Sequence, residues 1–132
     1  MARIERFEDI EAWKAARILT KEIYRVSRIG EFAREFGLKD QIRRASVSIM
    51  LNIAEGFERE GNNELRQFLA TAKGSVGEVR AALYVALDAE FLQQEQFDAL
   101  RKLTDDTSNL IGGFMRYLAS TTHRGRKYRS DE

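Results

Sequence analysis

The stretch Leu38-Lys39-Asp40-Gln41-Ile42-Arg43-Arg44-Ala45-Ser46-Val47-Ser48-Ile49-Met50-Leu51-Asn52-Ile53-Ala54-Glu55-Gly56 decides how this chain folds. Ile42, Ala45, Ile49, Ile53 and Gly56 recur at steps of three or four, the spacing that puts side chains on one face of an α-helix. A second apolar set, Val47, Leu51 and Ala54, falls on a different side, with Met50 and Phe57 between the two. A helix that is apolar on two faces needs two partners. The spacing therefore predicts a helix over 38–58 that meets its own bundle on one face and another partner on the second.

A polar row runs between those stripes. Gln41, Arg44, Ser48, Asn52, Glu55 and Arg59 are spaced 3, 4, 4, 3 and 4 along the chain, so they line one edge of the same helix. With Ser75 and Glu78 from the following helix they form the best candidate for a specific site. A partly buried hydrogen-bonded network or subunit interface is one reading, with Arg44 paired to Glu55 or Glu78, because buried charges need partners. Contact with a ligand or nucleic acid is the other.

The neighbouring segments also read as helices. The first is predicted over 9–29, with Glu8, Asp9 and Glu11 suited to a positive helix start and Gly30 to a left-handed stop. Ala12, Ala15, Ala16, Leu19, Ile23 and Val26 share one side of it. Lys14, Arg17, Lys21, Arg25 and Arg28 share the opposite side, with Trp13 and Tyr24 beside them, read as packing residues rather than as platforms for base stacking. Such a stripe can grip phosphates at successive turns, or can simply be a solvated face. Residues 31–37 read as a loop with two apolar anchors, Phe32 and Phe36.

A third helix is predicted over 63–90 and a fourth over 95–119. In the third, Leu65, Leu69, Ala72, Val76, Leu83 and Leu87 form the main apolar row, interrupted by Gly74 and Gly77, which suggest close approach by a neighbouring helix. In the fourth, Phe97, Leu100, Leu103, Thr104, Thr107, Ile111, Phe114 and Leu118 face one way. Four helices of similar length on short links pack antiparallel, so the expected fold is an all-α, up-down-up-down four-helix bundle over residues 1–119. Residues 120–132 lack an apolar period and read as a disordered basic tail carrying Arg124, Arg126, Lys127 and Arg129, which can add non-specific affinity for nucleic acid or keep the end soluble.

Composition narrows the chemistry. The absence of proline among 132 residues favours long helices. The absence of cysteine removes disulfides, thiolate catalysis and cysteine-held metals. His123 is the single histidine, and no Glu-x-x-His pair lies within the helices, so no metal site, cofactor or catalytic group is expected and the chain reads as non-enzymatic. No apolar run reaches the roughly 18 residues of a membrane span, and residues 1–9 alternate in charge, which together predict a cytoplasmic protein without a membrane partner. Net charge is only +1, but residues 1–30 hold seven basic against five acidic side chains, so the basic character sits at the chain ends.

The run 38–56, followed by Phe68-Leu69-Ala70-Thr71-Ala72-Lys73-Gly74-Ser75-Val76-Gly77-Glu78 and preceded by Phe7-Glu8-Asp9-Ile10-Glu11-Ala12-Trp13, resembles a bacterial family of helical bundles. That family is named for proteins encoded in intervening sequences of large-subunit ribosomal RNA genes, and the resemblance covers roughly residues 7–119. It implies a left-handed four-helix bundle assembled as a homopentamer. It also implies an architecture similar to the accessory protein of diversity-generating retroelements, a pentamer that binds a reverse transcriptase and nucleic acid. Two functions follow as alternatives. One is a homo-oligomeric scaffold that binds RNA, DNA or a nucleic-acid enzyme through basic surfaces. The other is a structural or protein-interaction module with no nucleic-acid role.

Overall fold

Apolar residues at helical spacing become helices once each stripe has something to bury against, and the computed structural model shows how the four stripes meet. It describes residues 3–121 together with 128 and 129. The elements are α1 (Glu11–Ser27), α2 (Gly30–Arg34), α3 (Phe36–Glu58), α4 (Asn62–Asp88) and α5 (Gln94–Ser120). A 3-10 turn over Phe7–Asp9 precedes α1, and Arg3–Ile4 pairs antiparallel with Tyr128–Arg129. Those two residues fall within the tail predicted over 120–132, most of which lies outside the described residues.

Cross-helix pairs give the direction of each helix. Thr20 in α1 donates to the Ser46 carbonyl and Arg43 reaches back to Tyr24, so α3 runs against α1. Ser48 bonds Ser75 while Gly56 lies against Phe68, so α4 runs against α3. Arg80 pairs with Asp105 and Asn62 donates to the Leu118 carbonyl, so α5 runs against α4. With α1 also packed on α5, the bundle closes up-down-up-down as the helix lengths and links predict. Leu19, Ile23, Ile49, Ile53, Leu65, Leu69, Leu83, Ile111 and Leu118 fill its centre. Thr104 and Thr107 are buried there too, each donating its hydroxyl to the carbonyl four residues back, at 2.7 and 2.8 Å, so neither leaves a polar atom unsatisfied.

Two boundaries differ from the sequence reading, for local reasons. The first helix starts at Glu11 rather than Asp9, because the Asp9 carboxylate accepts the backbone N–H groups of Glu5 (2.9 Å) and Arg6 (3.1 Å) and holds the chain in the 3-10 turn. Those bonds favour the ionised carboxylate and hold its pKa below the ordinary value. The loop predicted over 31–37 is instead mostly helical. Gly30 takes φ +64°, and α2 then carries Phe32 under the bundle, 1% exposed, where its ring stacks on Phe91 at 5.7 Å. Phe36, the second expected anchor, is 72% exposed and opens α3 with Lys39 Nζ 4.9 Å from its ring. Burial of one aromatic was enough to order the turn.

The glycines also sort differently from the prediction. A Cβ built on Gly56 would sit 2.6 Å from Phe68 Cβ and 3.0 Å from Leu65 Cδ1, so α3 and α4 approach closely there. Around Gly74 and Gly77 nothing among the described residues lies within 4 Å of such an atom, so neither is a point of close helix approach there. Each still costs about 1 kcal/mol against alanine in a helix interior.

The link after α4 carries a testable strain. Phe91 N–H bonds the Ala86 carbonyl at 2.8 Å and Glu90 N–H bonds that of Leu87 at 3.0 Å, the paired bonds that close a helix through a left-handed residue. That residue is Glu90, at φ +67°, where a side chain crowds the backbone. Glu90→Gly is expected to raise the unfolding free energy by about 1 kcal/mol, measured by denaturant titration. A drop would show that the Glu90 side chain contributes more than its conformation costs. Among the described residues, no helix is long and apolar enough to cross a membrane.

Candidate functional site

The edge of α3 predicted to be polar is so, but its groups do not join into one network. At its centre Ser48 Oγ and Ser75 Oγ share a hydrogen bond of 2.9 Å. Asn52 Nδ2 donates to both Ser48 Oγ (3.0 Å) and the Ser48 carbonyl (2.9 Å). Ser75 is buried and the other two half-buried, so this small cluster ties α3 to α4 at mid-height. The charged members point outward and pair with neighbours one turn away, Arg59 also reaching Glu64 of α4 at 3.8 Å. Arg44 Nε donates to Asp40 at 2.8 Å and Arg59 to Glu55 at 3.0 Å. Neither of the pairings first considered for Arg44, with Glu55 or Glu78, is formed. Steps of four along one exposed helix supply nearer carboxylates and cost no desolvation. The hydrogen bond from Arg44 to Asp40 raises the guanidinium pKa above its ordinary value. Gln41 and Glu78 are exposed, the latter without an ion-pair partner among the described residues.

Lys14, Arg17, Lys21, Arg25 and Arg28 do share one exposed face of α1. Their charge is partly neutralised, because Lys14 pairs with Glu11 at 3.1 Å and Arg25 with Glu22 at 2.7 Å. Arg17 lies over the Trp13 ring at 5.8 Å. Lys21 and Arg28 are left as cations without such partners among the described residues. Ile18, 54% exposed, interrupts the row. Trp13 packs edge-on against Phe7 at 5.1 Å, which fits its reading as a packing residue. Arg124, Arg126, Lys127 and His123 lie outside the described residues, and Arg129 is described only as the backbone partner of Arg3.

The feature with least explanation inside the protomer is the second apolar face of α3. Leu51 is 61% exposed, and Val47 and Ala54 are only half-buried beside it. Val47 and Leu51 line a shallow groove of about 630 Å³, with Tyr24, Asp40, Arg43 and Glu55 at its edges. The wall toward α1 is rigid, because Arg43 Nε donates to Ser27 Oγ at 2.8 Å, its Nη2 donates to the Tyr24 carbonyl at 3.3 Å, and the guanidinium lies 4.4 Å above the Tyr24 ring. Arg43 thereby donates to the Tyr24 carbonyl and the Ser27 hydroxyl in the last turn of α1, the negative end of that helix. Sequence reading passed over Arg43 and Asp40. Arg43 sits one residue before Arg44 of the polar row, and only the position of α1 shows that it turns the other way.

The model of a family described as 23S rRNA-intervening sequence protein matches residues 8–113. Among solved structures, the fold is similar to that of a protein with unknown function from the S23 ribosomal protein family of Bacteroides thetaiotaomicron VPI-5482. The TM-score is 0.72 at 18% identity, over 80% of this chain and 98% of that one. Comparison with curated proteins gives no match.

Proposed function

The chain belongs to the 23S rRNA-intervening sequence protein family, and from that premise we propose that it works as a non-enzymatic scaffold that self-associates and presents basic α1 faces to nucleic acid. The observation that carries this reading is the uncovered Val47–Leu51 face of α3, an apolar surface that the bundle does not use. Five copies is the number that the family resemblance implies. Repeating the α1 row around such an assembly multiplies a weak cationic surface into an effective one. RNA, DNA or a polymerase such as a reverse transcriptase is the class of partner that a repeated cationic face suits. A cytoplasmic setting is part of the same proposal.

A non-catalytic role is supported by the hydroxyls themselves. Ser48 and Ser75 bond to each other and Asn52 Nδ2 donates to Ser48 Oγ, with no titratable group among these described partners to act as a base. A module for protein interaction alone is the second reading, favoured by the carboxylates Glu11 and Glu22 that neutralise two of the five α1 cations.

Light scattering of the purified chain tests the scaffold, with an expected mass of five times the 15.2 kDa protomer. A monomer at all concentrations would overturn it. Filter binding to RNA and to duplex DNA at two salt concentrations separates the two readings. Binding that weakens with salt, and weakens further in Lys21→Glu/Arg28→Glu, is expected for the nucleic-acid role. Absence of binding at low salt would leave the protein-interaction reading.

A further inference from the structure

We propose that the chain docks head to tail on a second copy of itself, the Val47–Leu51 face of α3 in one protomer lying antiparallel on the outer face of α4 in the next. This rests on the self-association reading above and adds the two surfaces and their orientation. The donor surface is Leu51 with its half-buried flanks, Val47 and Ala54. The receiving surface is the outward side of α4, where Ala70, Gly74, Gly77, Ala81 and Val85 follow one another at helical spacing. Val85 is 53% exposed, and the two glycines have open space where their side chains would be. Glycine within a helix lowers stability unless a close neighbour uses the room, and none of the described residues does so. A leucine-bearing ridge is left uncovered on the helix next to it.

Charge selects both the partner and its direction. Leu51 has Arg44 seven residues before it and Glu58 seven after it, about 10 Å away on either side at the helical rise. The receiving face has Arg66 before its glycines and Glu78 just after them. With Leu51 seated between Gly74 and Gly77, an antiparallel arrangement places Arg44 toward Glu78 and Glu58 toward Arg66. A parallel one places Arg44 toward Arg66 and Glu58 toward Glu78, like against like. Glu58, Arg66 and Glu78 have no ion-pair partner among the described residues, so each is free to take one across the contact, while Arg44 would share its exposed guanidinium between Asp40 and Glu78. Because the two surfaces differ, every docked copy still offers one of each, and the contact propagates to a ring or a fibre rather than stopping at two.

Two variants test the contact by mass. Leu51→Asp removes the donor surface, and Gly74→Leu/Gly77→Leu fills the receiving surface, both at positions that the fold leaves exposed. Each variant alone is expected to give a monomer by light scattering, and an equal mixture a one-to-one dimer, since one copy keeps its α4 face and the other its α3 face. Gly74→Ala/Gly77→Ala serves where the larger side chains disturb folding. It is expected to raise the melting temperature of the dilute monomer while weakening association by about tenfold or more. Arg44→Glu is expected to weaken assembly and Arg44→Glu/Glu78→Arg to restore it. A wild-type chain that stays monomeric would sink the self-association reading itself. A wild-type assembly that survives the glycine substitutions, or two monomeric variants that fail to form the mixed dimer, would overturn this docking and leave self-association standing.

Discussion

Phe32→Ala is expected to lower the unfolding free energy by about 3–5 kcal/mol, the range for truncating a fully buried aromatic side chain. Phe32 is 1% exposed and is the buried residue of α2, whose five residues are too few to hold a helix without tertiary contact. Its ring stacks on Phe91 in the link between α4 and α5, so one side chain joins two connections at the same end of the bundle. Truncation opens a cavity there and releases both. Urea titration followed by circular dichroism reads the effect. A loss below about 1 kcal/mol would mean that the site collapses around the smaller side chain. Phe36→Ala is the matched control, since that ring is mostly exposed and its loss is expected within about 0.5 kcal/mol of neutral.

The second large effect is expected at Gly56. A methyl group there would lie 2.6 Å from Phe68 Cβ and 3.0 Å from Leu65 Cδ1, both on the opposing helix. The Cβ of Phe68 cannot swing away as a side-chain tip can, so α3 and α4 must separate. Gly56→Ala is therefore expected to destabilise by about 1–3 kcal/mol in spite of alanine's better helix propensity, and larger residues by more. The same substitution at Gly74 or Gly77 has the opposite expected sign in the isolated protomer. Comparing melting temperatures of the three variants checks the assignment. Gly56→Ala melting at or above the wild type would refute the close approach.

Much of this architecture was legible in the sequence, because apolar periodicity reports burial directly. Ile42, Ala45, Ile49 and Ile53 are buried where their spacing places them, as are Leu65, Leu69 and Ala72 in α4. What spacing does not report is which of two apolar faces the chain itself covers. Leu51 is as apolar as Ile49, and only the position of α1 and α4 shows that one is enclosed while the other faces out. Glycine has the same ambiguity. Gly56, Gly74 and Gly77 all sit inside helices, yet only Gly56 meets a neighbour within the fold. Polar pairing was hardest to read. Ser48, Asn52 and Ser75 do converge, but Arg44 and Glu55 each found a partner one turn away on α3, a short-range choice that competes with any long-range network. The helix in 30–34 was hidden because five residues show too little of a period, and because its cause is an aromatic contact more than fifty residues ahead in the chain.

The order in which the helices touch bears on how the chain reaches this state. The α1–α3, α3–α4 and α4–α5 contacts all join segments that follow one another, and only the α1–α5 seam joins the first long helix to the last. Closing a short link costs little chain entropy, whereas bringing α1 to α5 closes nearly the whole chain at once. The nucleus is therefore free to grow as helical hairpins, with contacts of low sequence separation that favour rapid folding. The seam between α1 and α5 is therefore the contact whose closure orders the longest stretch of chain.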